Sequence, residues 1–233
     1  MLKIGILGMG YVGLPLATSF IKKNYNVVGF DISIKRISNL IMGIDTNNEE
    51  FDENFLKSKF LKLTNKIEDL KSCDVYIVTV PTPVKKNKKP DLKPLSKASS
   101  LIAKVISKNN IVIYESTVYP GCTEEFCIPI IEEKSDLKLN KDFYCGYSPE
   151  RINPGDKKRN IEDIVKVTSG SNKLIANKID RLYKSIIKAG TYMAPSIKIA
   201  EASKIIENIQ RDVNISLMNE FAIIFEKIGI DTE

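Results

Sequence analysis

The first 31 residues restrict the fold of this chain more than any other stretch. A short apolar strand at residues 3–7 leads directly into the motif Gly8-x-Gly10-x-x-Gly13, and residues 14–21 follow with the apolar spacing of a helix. Glycines at a strand-to-helix turn let the backbone approach a pyrophosphate closely, and the amino end of the helix then faces the phosphates. The stretch predicts the first unit of a Rossmann-like fold with a dinucleotide site.

A carboxylate follows at the spacing that such a site requires. Residues 27–30 form a second apolar run, and Asp31 lies 31 − 13 = 18 residues after the last glycine, Gly13. A carboxylate at this point accepts hydrogen bonds from both ribose hydroxyls and repels a 2′-phosphate, so NAD is favoured over NADP as the cofactor. Alone, the glycine motif could be a chance turn, but strand, glycines, helix, second strand and acid occur here in order.

Further residues around the turn are candidates for cofactor contacts. Tyr11 and Val12 lie between the glycines. Ser33 is a suitable cap for a helix over residues 34–41, which would bring Arg36 near the adenine side of the cofactor. A surface charge is an equally good interpretation of Arg36.

Three more strands are predicted where apolar and β-branched residues cluster, at 73–80, 110–114 and 143–147. The polar turns that follow them are Pro81-Thr82-Pro83, Glu115-Ser116-Thr117 and Ser148-Pro149-Glu150. A doubly wound sheet binds its ligands at the carboxyl ends of its strands. Although each segment alone could be a proline-rich turn, three of them at one edge predict a site beside the cofactor.

The expected fold is therefore α/β, a Rossmann-like doubly wound and mostly parallel sheet followed by one long C-terminal helix. Residues 43–71 are expected to form short helices and loops, with helical stretches at 51–60 and 65–70. A short strand at 190–193 closes the first domain, residues 1–195, which we expect to bind NAD.

The last part of the chain has a different pattern. Between Ser196 and Gly229 there is no glycine or proline, and apolar residues recur with helical spacing. A helix of about 30 residues is roughly 45 Å long, too long to be covered by a domain of this size. We therefore expect residues 196–233 to begin a second domain, whose helix over 196–228 joins two copies of the chain as a homodimer.

Two polar residues of this helix are candidates for catalysis. Lys204 and Asn208 lie four residues apart and so share one face. The alternative is a solvated polar face, which the nearby Glu201 and Glu207 would also suit.

Composition excludes several classes of site. Because the chain has no histidine, a Ser-His-Asp triad and an imidazole-based zinc site are ruled out. Its four cysteines form no CxxC pair and no metal-finger spacing, so we expect reduced, mostly buried thiols and no metal.

The lysines behind the net charge of +6 are spread along the chain, which argues against nucleic acid as a partner. No apolar run approaches the roughly 18 residues of a membrane span and no signal-peptide pattern is present, so we expect no membrane contact and a cytoplasmic location.

Together, the motifs resemble those of the nucleotide-sugar 6-dehydrogenase family, the UDP-glucose and GDP-mannose dehydrogenase group. Five family segments, GxGYVGLP, V-x-T-P, E-S-T-V-x-P-G, S-P-E and A-E-x-x-K-x-x-x-N, correspond to Gly8–Pro15, Val80–Pro83, Glu115–Gly121, Ser148–Glu150 and Ala200–Asn208. The longer segments at 148–156 and 207–214 resemble the branch of the family that acts on UDP-N-acetylhexosamines.

The resemblance implies a four-electron oxidation of the C6 hydroxyl of a UDP-N-acetylhexosamine to the uronic acid, with two NAD⁺ used in succession, for surface polysaccharide biosynthesis. A cysteine captures the intermediate aldehyde, and water hydrolyses the resulting thioester. By the resemblance, Thr117 holds a water, Glu150 takes part in hydrolysis, and Lys204 and Asn208 stabilise the oxyanion at C6. By the resemblance, Thr82 and Ser116 line the nicotinamide and ribose end of the NAD site. Val80, Pro81 and Thr117 are further predicted cofactor-binding residues.

One part of the family pattern is missing. In the family the nucleophilic cysteine lies in a G-G-x-C segment beyond the long helix, and this chain contains no such segment. None of its four cysteines matches a nucleophile motif, so we expect the 233-residue chain to bind NAD without completing the oxidation.

Two alternatives stay open. The first is an NAD-binding and dimerisation module without turnover. The second is a β-hydroxyacid dehydrogenase, which also carries a K-x-x-x-N helix after a Rossmann domain and needs no cysteine. The Glu115–Gly121 and Ser148–Asp156 segments argue against the second alternative.

Overall fold

A six-stranded parallel sheet lies at the centre of the computed structural model, which describes residues 2–45, 55, 58–151 and 161–232. Its strands are β1 (Lys3–Leu7), β2 (Asn26–Phe30), β3 (Leu61–Thr64), β4 (Val75–Val78), β5 (Ile111–Tyr114) and β6 (Tyr144–Tyr147). Their order is β3-β2-β1-β4-β5-β6, and each pair of neighbours runs parallel. The order reverses between β1 and β4, so a ligand of a doubly wound fold binds at the carboxyl ends of these two strands.

Helices cover both faces of this sheet. They are α1 (Gly13–Lys22), α2 (Ile34–Ile41), α3 (Lys93–Ile102), α4 (Ile128–Ser135) and α5 (Lys173–Lys184). A sixth helix, α6 (Ile197–Lys227), follows them and is buried only in its first turns. Ile113 of β5 packs in one core with residues of α1, α2 and α5, whereas its neighbours Val112 and Tyr114 pack in a second core with residues of α3 and α4. Strands covered on both sides are apolar throughout and do not alternate. The predicted doubly wound α/β fold is confirmed.

Strand β3 is the main difference from the architecture expected for residues 43–71. It pairs with β2 at the edge of the sheet, and its sequence is Leu-Lys-Leu-Thr, with Lys62 exposed. A strand this short, with one charge among four residues, has too little periodicity to be recognised without its partner. A 3-10 turn at Ile67–Leu70 agrees with the helical stretch predicted at 65–70, whereas most of the one predicted at 51–60 lies outside the described residues.

A second, two-stranded sheet follows the first. In it β7 (Lys166–Thr168) and β8 (Thr191–Met193) pair in parallel, and α5 connects them. Asn172 begins α5, because its side chain accepts a hydrogen bond from the N–H of Ile175 at 3.0 Å. The strand predicted at 190–193 is thus confirmed and has β7 as its partner.

The last helix, α6, is 31 residues long and begins after Ser196, whose hydroxyl oxygen accepts a hydrogen bond from the N–H of Ile199. The buried residues of α6 are in its first turns: Ile197, Ala200 and Glu201. From residue 206 onward most of its apolar side chains are exposed. The long, largely uncovered helix predicted from the sequence is confirmed. In the described part of the chain, no helix is both long and apolar enough to cross a bilayer.

Candidate functional site

The glycine motif forms the turn between β1 and α1. Gly8 has a φ angle of +104°, which favours glycine, and a Cβ added at Gly13 would lie 1.9 Å from the Gly8 carbonyl oxygen. At Gly10, by contrast, none of the described atoms outside Gly10 and its two chain neighbours lies within 4 Å of an added Cβ. The turn is therefore closely packed at Gly13 and open at Gly10, as a pyrophosphate site requires.

Thr79 supports this turn from the neighbouring strand end, and sequence reasoning missed it. Its hydroxyl lies 2.7 Å from the carbonyl oxygen of Gly8 and 3.1 Å from that of Leu7. The one available signal is its position directly after a buried parallel strand, β4, where polar residues meet the ligand edge of the sheet.

Asp31 has a structural contact as well as its predicted ligand contact. One carboxylate oxygen accepts a hydrogen bond from the N–H of Met9 at 2.9 Å, and the other accepts one from the N–H of Ser33 at 2.8 Å. An ionised carboxylate has further lone pairs, so both oxygens can still accept from ribose hydroxyls. Asp31 therefore ties the glycine turn to the start of α2.

A cleft of about 320 Å³ opens beside the turn. Four of the predicted cofactor residues line it, namely Gly8, Asp31, Val80 and Pro81. The opposite wall is the α3 surface made by Pro94, Lys97, Ala98 and Leu101. The volume of this cleft is within the range of small-molecule sites. The residues present therefore fit the adenosine and pyrophosphate of a dinucleotide.

Arg36 lies close to this turn and is not an ordinary surface charge. Its side chain is 10% exposed, pairs with Asp45, and donates from Nε to the carbonyl oxygen of Met9 at 2.7 Å. The surface-charge interpretation thus does not agree with its burial. Of the two residues between the glycines, Val12 is buried and Tyr11 is 47% exposed.

The turns after β4 and β5 are joined by hydrogen bonds. The Thr82 hydroxyl donates to the carbonyl oxygen of Thr117 at 2.7 Å, and the Ser116 hydroxyl donates to that of Val80 at 2.5 Å. The Tyr147 hydroxyl donates to the carbonyl oxygen of Ser116 at 3.1 Å. Thr82 and Ser116 are therefore adjacent, with the exposed Thr117 side chain beside them.

Behind these turns lies a buried charged cluster. Lys166 Nζ is 2.7 Å from a carboxylate oxygen of Glu115 and 3.3 Å from one of Glu150, and the three residues are 3%, 1% and 7% exposed. The Tyr183 hydroxyl donates to Glu115. Burial raises the pKa of Glu115; burial also opposes the charge of Lys166, but the two carboxylates raise the Lys166 pKa. Glu150 was a predicted site residue, whereas Lys166 and Tyr183 were missed because no local pattern links them to it.

Helix α6 brings Lys204 to the same place. Its ammonium donates to the carbonyl oxygen of Glu150, and burial lowers the pKa of this lysine. Arg151, next to Glu150, forms an ion pair of 2.8 Å with Glu207 of the helix. Asn208 is exposed one turn beyond Lys204. The turn after β6 and this face of α6 therefore form one continuous surface.

Glu201 shows that the beginning of this helix face is buried and not solvated. It is fully buried, and its two carboxylate oxygens accept hydrogen bonds from the N–H groups of Gly121 at 2.5 Å and Thr123 at 2.8 Å. Burial raises its pKa, although these hydrogen bonds oppose the shift. Glu201 thus fixes α6 to the end of the segment that carries Ser116 and Thr117.

Comparisons with known proteins agree with this geometry. A model of the NAD binding domain of the UDP-glucose/GDP-mannose dehydrogenase family matches residues 2–187, and a model of the central domain of that family matches residues 198–233. The cofactor predicted from the glycine turn and Asp31, NAD, agrees with the first match.

Individual relatives give the same result. UDP-N-acetyl-D-glucosamine 6-dehydrogenases of Salmonella typhi and Pseudomonas aeruginosa are each 57% identical, over 99% and 100% of this chain and 54% and 55% of their own lengths. The solved structure of a UDP-D-ManNAc dehydrogenase from Pyrococcus horikoshii resembles it with a TM-score of 0.91 at 35% identity, covering 98% of this chain and 55% of that one. The chain thus spans about half the length of the relatives it matches. On these matches, the chain belongs to the UDP-glucose/GDP-mannose dehydrogenase family.

Proposed function

We propose that this chain is the NAD-binding part of an enzyme that oxidises the C6 hydroxyl of a UDP-N-acetylhexosamine to the uronic acid for surface polysaccharide biosynthesis. The observation that carries the proposal is the hydrogen bond from Lys204 to the Glu150 carbonyl oxygen. It brings the predicted catalytic face of α6 next to the polar turn after β6, at the ligand edge of the sheet. The names of the relatives that are 57% identical support the choice of sugar.

Each of the four predicted catalytic residues has a role in this proposal. Bound NAD⁺ supplies the hydride acceptor. Lys204 and Asn208 stabilise the negative charge that develops on the C6 oxygen, since an ammonium and an amide N–H group both donate hydrogen bonds to an oxyanion. Thr117 holds a water, and Glu150 takes part in hydrolysis of the acyl intermediate.

The chain divides at α6 in this proposal. Residues 1–195 form the NAD-binding domain, and residues 196–233 begin a second domain and provide the helix through which two copies form a homodimer. All four cysteines are buried, which does not suit attack on a sugar aldehyde. By the family resemblance, the nucleophilic cysteine belongs to a segment that would follow α6.

Experiments on the purified 233-residue chain test NAD binding and the absence of the nucleophile. We expect calorimetry to detect NAD⁺ binding, and mass spectrometry to detect no uronic acid after incubation with NAD⁺ and UDP-N-acetylglucosamine. Formation of the acid by this chain would contradict the assignment of the nucleophile.

A longer enzyme, in which this chain is followed by a segment with the nucleophilic cysteine, tests the choice of substrate and the role of Lys204. NADH formation should be faster with UDP-N-acetylhexosamines than with UDP-glucose or GDP-mannose. Lys204→Ala should lower kcat by about 10²–10³, as expected for loss of an oxyanion donor. Lys198→Ala is the matched control, because Lys198 is an exposed lysine of the same helix paired with Glu125. Greater activity with 3-hydroxy acids would overturn the proposal.

A further inference from the structure

Two charged side chains hold the peptide groups of Met9, in the middle of the phosphate-binding turn. The Asp31 carboxylate accepts a hydrogen bond from the Met9 N–H at 2.9 Å, and Nε of Arg36 donates to the Met9 carbonyl oxygen at 2.7 Å. The Met9 side chain is fully buried and packs against Gly29, where an added Cβ would lie 2.7 Å from its sulfur. The middle of the turn is therefore fixed through the N–H, the carbonyl and the side chain of Met9.

Arg36 is itself held by Asp45. The Arg36 guanidinium forms an ion pair with the Asp45 carboxylate, and the two side chains are 10% and 3% exposed. Arg36 lies in the first turn of α2, and Asp45 lies four residues beyond the end of that helix. Because a guanidinium is planar and its donors point in fixed directions, a partner at one edge sets the direction of the other donors. Asp45 thus helps to hold the guanidinium with Nε directed at the Met9 carbonyl oxygen.

We propose that Asp45 is a positioning residue of the NAD site and contributes to the choice of NAD over NADP, acting in both respects through Arg36. The proposal rests on the NAD site described above. Asp45 and the Met9 carbonyl together engage the guanidinium, so that Asp31 is the charged group that meets the adenosine ribose. An arginine near this position can accommodate the 2′-phosphate of NADP. The ion pair therefore shapes the pyrophosphate turn and keeps a cation from the 2′ position.

Asp45→Asn tests the proposal, because it removes the charge with little change in volume. The chain is titrated calorimetrically with NAD⁺ and, separately, with NADP⁺. We expect the Kd for NAD⁺ to rise by about threefold to tenfold, as for a weakened charge-assisted hydrogen bond. The Kd for NADP⁺ should fall, because the guanidinium can turn toward the 2′-phosphate. The ratio of the NADP⁺ to the NAD⁺ dissociation constant should thus decrease by about tenfold or more.

Three further variants isolate the role of Arg36. Arg36→Met should weaken NAD⁺ binding to a similar extent, with no gain for NADP⁺, and the shift toward NADP⁺ should be absent from the double variant Arg36→Met, Asp45→Asn. Asp142→Asn is the matched control, because Asp142 pairs with Lys108 at 3.3 Å at the amino end of the sheet and is expected to leave both constants unchanged. Thermal unfolding of each variant verifies that it folds, and Asp45→Glu, which keeps the carboxylate, should retain the preference for NAD⁺.

The outcomes distinguish a failure of the role of Asp45 from a failure of the NAD site itself. Unchanged constants in Asp45→Asn, or an equal loss of affinity for both dinucleotides, would overturn the role of Asp45 and leave the NAD site standing. A parent chain that does not bind NAD⁺ would contradict the site, and the role of Asp45 with it.

Discussion

Gly10 and Gly13 belong to one motif, but an added methyl group would meet different surroundings at each. At Gly13 it would lie 1.9 Å from the carbonyl oxygen of Gly8, which is backbone and cannot move without opening the turn. At Gly10 no described atom beyond the adjacent residues would lie within 4 Å of it. The fold therefore requires Gly13, whereas we propose that Gly10 is required for close approach of the pyrophosphate.

Gly13→Ala should destabilise the chain by about 1–3 kcal/mol, as overpacking does, and abolish NAD⁺ binding. Gly10→Ala should keep the melting temperature of the parent but weaken NAD⁺ binding about tenfold or more, because the methyl group occupies the path of the pyrophosphate. Thermal unfolding and calorimetric titration of both variants distinguish the two effects. Unchanged NAD⁺ affinity in Gly10→Ala would show that the pyrophosphate lies elsewhere.

Among the secondary-structure elements, α6 is fixed at one end and uncovered at the other. Glu201 and Lys204 bind it to the turns after β5 and β6. Farther along, exposed apolar residues recur every three or four positions at Ile206, Ile209, Val213, Leu217, Phe221 and Ile224. A stripe with this period is suited to packing against another helix. This is the physical support for the proposed homodimer.

Leu217→Lys is expected to shift the proposed dimer toward monomer, because it places a charge in the stripe. Burial of a leucine contributes about 1.5–3 kcal/mol, so the dimer dissociation constant should rise about tenfold or more. Sedimentation velocity across a concentration series measures the change. Asn219→Lys, at an exposed polar position away from the stripe, is the control and should leave the distribution unaltered. A parent chain that stays monomeric at high concentration would contradict the proposal.

For the molecule as a whole, the buried cluster around Lys166 joins parts that are distant in sequence. Lys166 of β7 contacts Glu115 after β5 and Glu150 after β6, and Tyr183 of α5 donates to Glu115. The small sheet of β7 and β8 is thereby attached to the ligand edge of the large one. Removing one partner from such a cluster leaves uncompensated buried charge.

Lys166→Met should lower the free energy of unfolding by about 3–5 kcal/mol, the usual cost of breaking a buried ion pair. The loss should depend on pH. Burial already raises the pKa of Glu115, so the folded state holds this proton more tightly than the unfolded state, and stability falls as pH rises from the unfolded pKa toward the folded one. Without Lys166 the folded pKa rises further, so the loss should be smaller at about pH 5 than at about pH 8.

Denaturant titration at both pH values measures this difference. Lys188→Met is the matched control, because Lys188 forms a 2.7 Å pair with Glu162 while its own side chain is 72% exposed, and we expect little change. A loss that is equal at the two pH values would show that the effect comes from packing rather than charge.

The sequence by itself determined the features that depend on neighbours along the chain. The glycine turn and Asp31, the polar turns after β4, β5 and β6, and the length of α6 were all predicted, because each follows from periodicity or turn chemistry within about 30 residues. Family resemblance then supplied the candidate catalytic roles of Thr117, Glu150, Lys204 and Asn208, which stay predictions.

Tertiary structure alone decided which distant residues support that site. Thr79 contacts Gly8 across 71 positions, Lys166 contacts Glu115 across 51, and Glu201 contacts Gly121 across 80. Strand β3 likewise exists because β2 offers it a partner. The local sequence pattern does not show such contacts, because they form only when the sheet brings separate strand ends together and buried polar groups pair with the polar atoms nearest to them in space.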